Sequence, residues 1–111
     1  MSLFPSFILG LPQAEVPLPG IVARLLQAQN SQVVFFEISK GMTIPPHSHG
    51  EQWGMVVSGE LNLTIDGAAR LYRAGDSYHI GAGVVHSAQS VTAVEAVDFF
   101  ADPDRYRAKG S

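Results

Sequence analysis

The chain has 111 residues, 46% of them hydrophobic and 15% charged, with a formal net charge of −3. Such a composition describes one domain with a real apolar core and excludes a disordered chain. Seven scattered Lys and Arg leave no electrostatic footprint for nucleic acid or an anionic membrane. Cysteine is absent, which excludes disulfides, thiolate metal sites and cysteine nucleophiles and fits a reducing cytoplasm.

Taken in order, the chain opens on an apolar arm, residues 1–19, carrying Leu3, Phe4, Phe7, Ile8, Leu9 and Leu11. Pro5 interrupts it, and it lacks the basic n-region and small-residue cleavage site of a signal peptide. No stretch reaches the ~18 apolar residues of a membrane helix. The arm's side chains need a partner, either the chain's own domain or a second copy in a homodimer. Residues 20–111 read as a single domain of short strands punctuated by Gly and Pro. Strands are expected at 21–28, 32–39, 42–44, 52–58, 61–65, 70–73, 77–80, 85–89 and 91–101. Pro45-Pro46 suits an edge or strand end, and Asp66-Gly67 is a hairpin signal. Asp102-Pro103 reads as the start of one helical turn. Many short strands with almost no helix predict an all-β sandwich or closed barrel.

Three of the four histidines form a pattern: His47-x-His49 on an extended segment, and His86 downstream. Side chains one residue apart on a strand point to the same side. A third imidazole from another strand and an oxygen donor beyond His49 would complete a divalent metal site. Three neutral imidazoles and one oxygen suit Mn, Fe, Co, Ni or Zn. A site closed for structure alone usually carries four tight ligands, mostly Cys and His. His79 falls outside the pattern and reads as a surface or wall histidine. Trp53 and Tyr78 read as wall packing.

These residues resemble the two motifs of the small single-domain cupins. Gly41 is followed by five residues and then His47-x-His49, and six residues separate Gln52 from Gly59. Gly75 is followed by five residues and then Gly81-x-Gly83-x-x-His86. The resemblance implies a double-stranded β-helix (jelly-roll) barrel with one divalent metal held by His47, His49, Gln52 and His86. The sequence departs from the usual pattern in three ways. Only two residues separate His49 from Gln52, Gln replaces the usual Glu, and Gly81 replaces the usual Pro. Glu51 is therefore a rival oxygen ligand. A neutral amide ligand leaves the metal charge uncompensated, which favours anionic substrates.

Near the C-terminus, Asp98 lies among Val97, Phe99 and Phe100, costly unless paired or exposed. Facing the barrel mouth, it would be a general base with a raised pKa. This stretch is similar to the cupins that linearise unsaturated uronates, which carry an Asp-x-Phe followed by a Pro and a basic residue. That resemblance implies a catalytic Asp98 and a Phe100 that packs on the sugar. Arg105 and Arg24 are the cations that would meet a substrate carboxylate. The expected function is a metal-dependent isomerase or lyase-type enzyme on a small anionic sugar acid or hydroxy-carbonyl compound. A metal-dependent dioxygenase and a non-enzymatic ligand-binding cupin are the alternatives.

Overall fold

The computed structural model describes residues 2–110. After a single helical turn, α1 (Ser6–Leu9), the chain forms nine strands. They are β1 (Ile21–Gln27), β2 (Gln32–Ile38), β3 (Thr43–His47), β4 (Gln52–Ser58), β5 (Glu60–Ile65), β6 (Ala68–Arg73), β7 (Ser77–Ile80), β8 (His86–Ser90) and β9 (Val94–Phe100). They build two antiparallel sheets, ordered β1-β2-β9-β4-β7 and β3-β8-β5-β6. The architecture is the all-β double-stranded β-helix expected from the sequence.

The two inner faces close on one core. Ile38, Val56, Ile80, Val94 and Ala96 come from the five-stranded sheet, and Leu61, Leu63 and Tyr72 from the four-stranded sheet. Their alternation with outward residues follows from the two-residue period of a strand. Burial on β4 reads inward at Gln52, Gly54 and Val56 and outward at Trp53 and Met55, with Glu51 exposed just before the strand. The Asp66-Gly67 hairpin forms with φ of 51° and 80°, the positive pair a tight primed turn needs.

Four local expectations need correcting. A strand continues through Pro45 and Pro46 to His47, because β3 is an edge strand and its ladder shifts register between Ile44 and His47. Prolines are tolerated where no ladder donor is required. The segment after Phe100 forms turns rather than a helical turn. Asp102 does not cap a helix there; its Oδ2 accepts from the Gly50 amide at 2.8 Å. The last strand starts at Val94 rather than at residue 91, since Thr92 turns back and its Oγ1 donates to the Ala93 carbonyl. Helix α1, too short for periodicity to show, forms after Pro5, whose carbonyl accepts from the Ile8 and Leu9 amides.

The arm is stitched to its own chain. The Ala14 amide donates to Ala23, the Glu15 amide to Arg107 and the Lys109 amide to Gln13, so the arm runs between β1 and the C-terminal segment. Phe4 is buried edge-on to Phe35 at 5.5 Å. Val16 and Leu18 pack against the main core. Leu3 and Phe7 remain exposed. Among the described residues, no helix is long and apolar enough to cross a membrane.

Candidate metal centre

The site lies where β3, β4, β8 and β9 approach one another. His47 ends β3 and pairs directly with His86 at the start of β8, which brings a residue thirty-nine positions away into contact. The ring centroids of His47 and His86 are 4.2 Å apart, and those of His49 and His86 4.8 Å. One ring nitrogen from each of the three lies within 4.8 Å of the others.

Each imidazole is oriented by a backbone carbonyl: His47 Nδ1 by Pro45 (2.8 Å), His49 Nδ1 by Gly50 (2.9 Å) and His86 Nδ1 by Val84 (2.9 Å). A carbonyl only accepts, so each Nδ1 carries the proton and each Nε2 offers a lone pair. Burial and the neighbouring cation Arg105 push His49 and His86 below the usual histidine value, so both stay neutral at neutral pH.

The loop between His49 and Gln52 is one residue shorter than the family pattern, and the structure shows how it is held. The Gly50 amide is gripped by Asp102, the Gly83 amide donates to the His49 carbonyl (2.8 Å), and the Ala101 amide to the Glu51 carbonyl (2.9 Å). A Cβ on Gly50 would sit 2.1 Å from Asp102 Oδ1, so a side chain there would have to displace the carboxylate that anchors the loop. The tight turn sends Glu51 outward, where it pairs with His79 at 2.6 Å, both exposed. Gln52 turns inward and is buried. Between the two candidates for an oxygen donor facing the histidines, the fold selects Gln52.

Gln52 Nε2 donates to Asp98 Oδ2 at 2.6 Å, and its Oε1 is buried without a partner. His49 Nε2 is likewise buried and unpartnered. Buried polar atoms are normally satisfied, and one ion coordinating both atoms would remove both exceptions. The donor set therefore fits a metal.

Asp98 is fully buried, and desolvation raises its pKa from 3.8 to about 7, against the lowering effect of hydrogen bonds from Gln52 and Tyr78. Tyr78, expected to be wall packing only, reaches Asp98 with its hydroxyl at 2.9 and 3.0 Å from the two carboxylate oxygens. A signal for this contact existed in the sequence: Gly54, inside a strand, marks a close approach of neighbouring groups.

The three histidines, Gln52, Asp98, Phe100 and Arg105 all line one cavity of about 270 Å³, closed further by aliphatic side chains from both sheets and by Val16 and Leu18 of the arm. Phe100 lies edge-on to His49 at 5.4 Å. Arg105 stands over the Tyr106 ring at 4.4 Å, with its Nε buried and unpartnered. Arg24 is not in this cavity. It sits on the outward face of β1, donating to the Leu9 carbonyl at 2.9 Å and pairing with Glu37. The period-2 alternation of β1, which buries Ala23 and Leu25, forces it there. Trp53 also faces outward, against Phe99 at 5.8 Å.

A cupin-domain family model matches residues 34–100, and the chain belongs to the cupins. Among solved structures it is similar to an RmlC-like cupin from Shewanella frigidimarina, with 28% identity and a TM-score of 0.76 over 85% of this chain and 86% of that one. It also shares the fold of KdgF from a Halomonas species (22% identity, TM-score 0.72, 82% and 87% covered). Salicylate 1,2-dioxygenase from Pseudoaminobacter salicylatoxidans has the same fold within a longer chain (17% identity, TM-score 0.73, 86% of this chain and 31% of that one). No curated protein matches the sequence.

Proposed function

We propose that the protein is a metal-dependent enzyme of the isomerase or lyase type acting on a small anionic sugar acid. The observation that carries this reading is the meeting, in one cavity, of three oriented imidazoles and a buried carboxyl group poised near neutrality. His47, His49, His86 and the Oε1 of Gln52 would hold one divalent ion. Bound there, it would supply Lewis acidity toward a carbonyl or hydroxyl oxygen of the substrate.

The chain's own groups account for the rest. Asp98 has a pKa suited to both taking and giving a proton at neutral pH, which is what an isomerisation asks of one group. The unpartnered Nε of Arg105 is a donor for a substrate carboxylate, and its charge favours anions. Phe100 supplies an apolar wall beside His49 for a sugar face. The uronate assignment rests on the resemblance of this set, with Asp98-x-Phe100, to the uronate-linearising cupins.

The decisive experiment loads metal-stripped protein with Mn, Fe(II), Co, Ni or Zn and follows unsaturated uronates by NMR. Turnover is expected in wild type, loss of metal and turnover in His86→Ala, and loss of turnover in Asp98→Asn even at saturating metal. Full turnover by Asp98→Asn would remove that residue from the mechanism. Oxygen uptake by the iron-loaded protein would instead favour a dioxygenase. A ligand that stabilises the protein and is recovered unchanged would favour a binding module.

A second copy of the chain is the proposed occupant of the outer face of the five-stranded sheet. Leu26, Phe99 and Trp53 stand exposed in adjacent register across β1, β2, β9 and β4, with Met55 beside them. On this side of the sheet Arg24 pairs with Glu37 and His79 contacts Glu51, both within the chain. Two such faces meet without opposing like charges.

A further inference from the structure

The buried polar groups behind Gln52 form a chain across three adjacent strands. Gly54 on β4 is in direct register with Tyr78 on β7 and with Asp98 on β9. The central position carries no side chain, so those of Tyr78 and Asp98 meet over it. A Cβ at Gly54 would lie 2.4 Å from Asp98 Oδ2 and 2.5 Å from the Tyr78 ring. Gln52, two residues along the same face of β4, completes the chain through its bond to Asp98 Oδ2.

An amide can present either its oxygen or its nitrogen to the cavity, and only the oxygen is a useful metal ligand. The Asp98 side chain behind it settles the choice, since its Oδ2 accepts from Gln52 Nε2 at 2.6 Å and leaves Oε1 without a partner. The carboxylate absent from the ligand position thus stands one hydrogen bond behind it. Asp98 in turn is located by Tyr78, whose ring is itself fixed edge-on to Tyr72 at 5.4 Å.

We propose that Tyr78 is a positioning residue of the metal centre: its hydroxyl fixes the Asp98 carboxylate, which fixes the Gln52 amide with Oε1 left for the metal. This inference rests on the metal-centre reading given under the proposed function. It assigns Asp98 a structural task at the centre in addition to its proton transfer.

The experiment is a double-mutant cycle read by Co(II) titration, with affinity from calorimetry and ligand geometry from the visible spectrum. Tyr78→Phe keeps the ring and deletes the hydroxyl. It is expected to weaken Co(II) binding about tenfold, the usual size of an outer-shell loss, with an altered spectrum. In a Gln52→Ala background the same change is expected to have no further effect, because nothing remains to be oriented. Wild-type affinity in Tyr78→Phe overturns the inference, and so does an equal loss in both backgrounds, which would mean general loosening. Should Tyr78→Phe fail to fold, Asp98→Asn in the same two backgrounds reads the same coupling. His86→Ala separates the two levels. If wild type shows no Co(II) site that this variant abolishes, the metal-centre reading falls and this inference with it. If the site is present and Tyr78→Phe is silent, only the inference falls.

Discussion

Gly54 shows how one missing side chain shapes the site. Any Cβ there must displace Asp98 or Tyr78, whose atoms lie well inside contact distance. Gly54→Ala is therefore expected to destabilise the protein by about 1–3 kcal/mol, as over-packed interiors do, with a lower urea midpoint and an unchanged m-value. An unchanged midpoint would show that the two side chains can part freely. Asp98 gives a second expectation, for the metal-free protein. Its folded pKa of about 7 lies above the unfolded 3.8, so the folded state holds the proton more tightly. Stability from this group is fully present below pH 4 and is lost as pH rises toward 7, by roughly 4 kcal/mol. His49 and His86 act oppositely: their lowered values cost stability as pH falls below 6.5. The difference in melting temperature between Asp98→Asn and wild type is expected to grow in favour of the variant from pH 4 to pH 7. A constant difference would show that Asp98 does not titrate in that window.

Among the elements, the loop joining β3 to β4 carries the greatest demand, because it must turn Glu51 out and Gln52 in within three residues of His49. Asp102 is its anchor, accepting from the Gly50 amide across fifty-two residues of sequence. Removing the carboxylate with Asp102→Ala is expected to cost about 1–2 kcal/mol. Amide exchange at Gly50 should accelerate and metal affinity should fall, while core amides on β9 stay protected. Unaltered exchange at Gly50 would place the loop's rigidity elsewhere, in the bonds to Gly83 and Ala101. The edge position of β3 matters for the same reason. Its prolines interrupt the ladder between Ile44 and His47 and accompany the register shift that sets His47 opposite His86.

At the scale of the molecule, metal and assembly both add to stability by mass action. A divalent ion bound only by the folded state at a hundred times its dissociation constant is expected to add about 2.7 kcal/mol. Melting temperature should therefore rise with added metal in wild type and stay fixed in His86→Ala. For the outer sheet face, sedimentation of wild type is expected to give twice the chain mass, and Phe99→Glu to return it to a monomer, since a carboxylate there would be buried unpaired. A monomeric wild type would leave the arm's role confined to its own chain, where Val16 and Leu18 already close the cavity.

Most strands, the Asp66-Gly67 turn and the cluster of three histidines were legible in the sequence because each depends on short-range rules: period-2 alternation, the backbone freedom of Gly and the spacing of His-x-His. The choice between Glu51 and Gln52 was not legible, because it depends on Asp102 and Gly83 pulling one loop tight from distant points in the chain. The partnership of Tyr78 with Asp98 was half legible: Gly54 inside a strand signals a close approach, but only strand order puts β7 and β9 on either side of it. Arg24 looked free in sequence and is committed to Glu37 by the pairing of β1 with β2. The sequence by itself determined the barrel and the donor types, through local patterning. Only the tertiary structure decided which donors face one another, because register between distant strands sets side-chain direction.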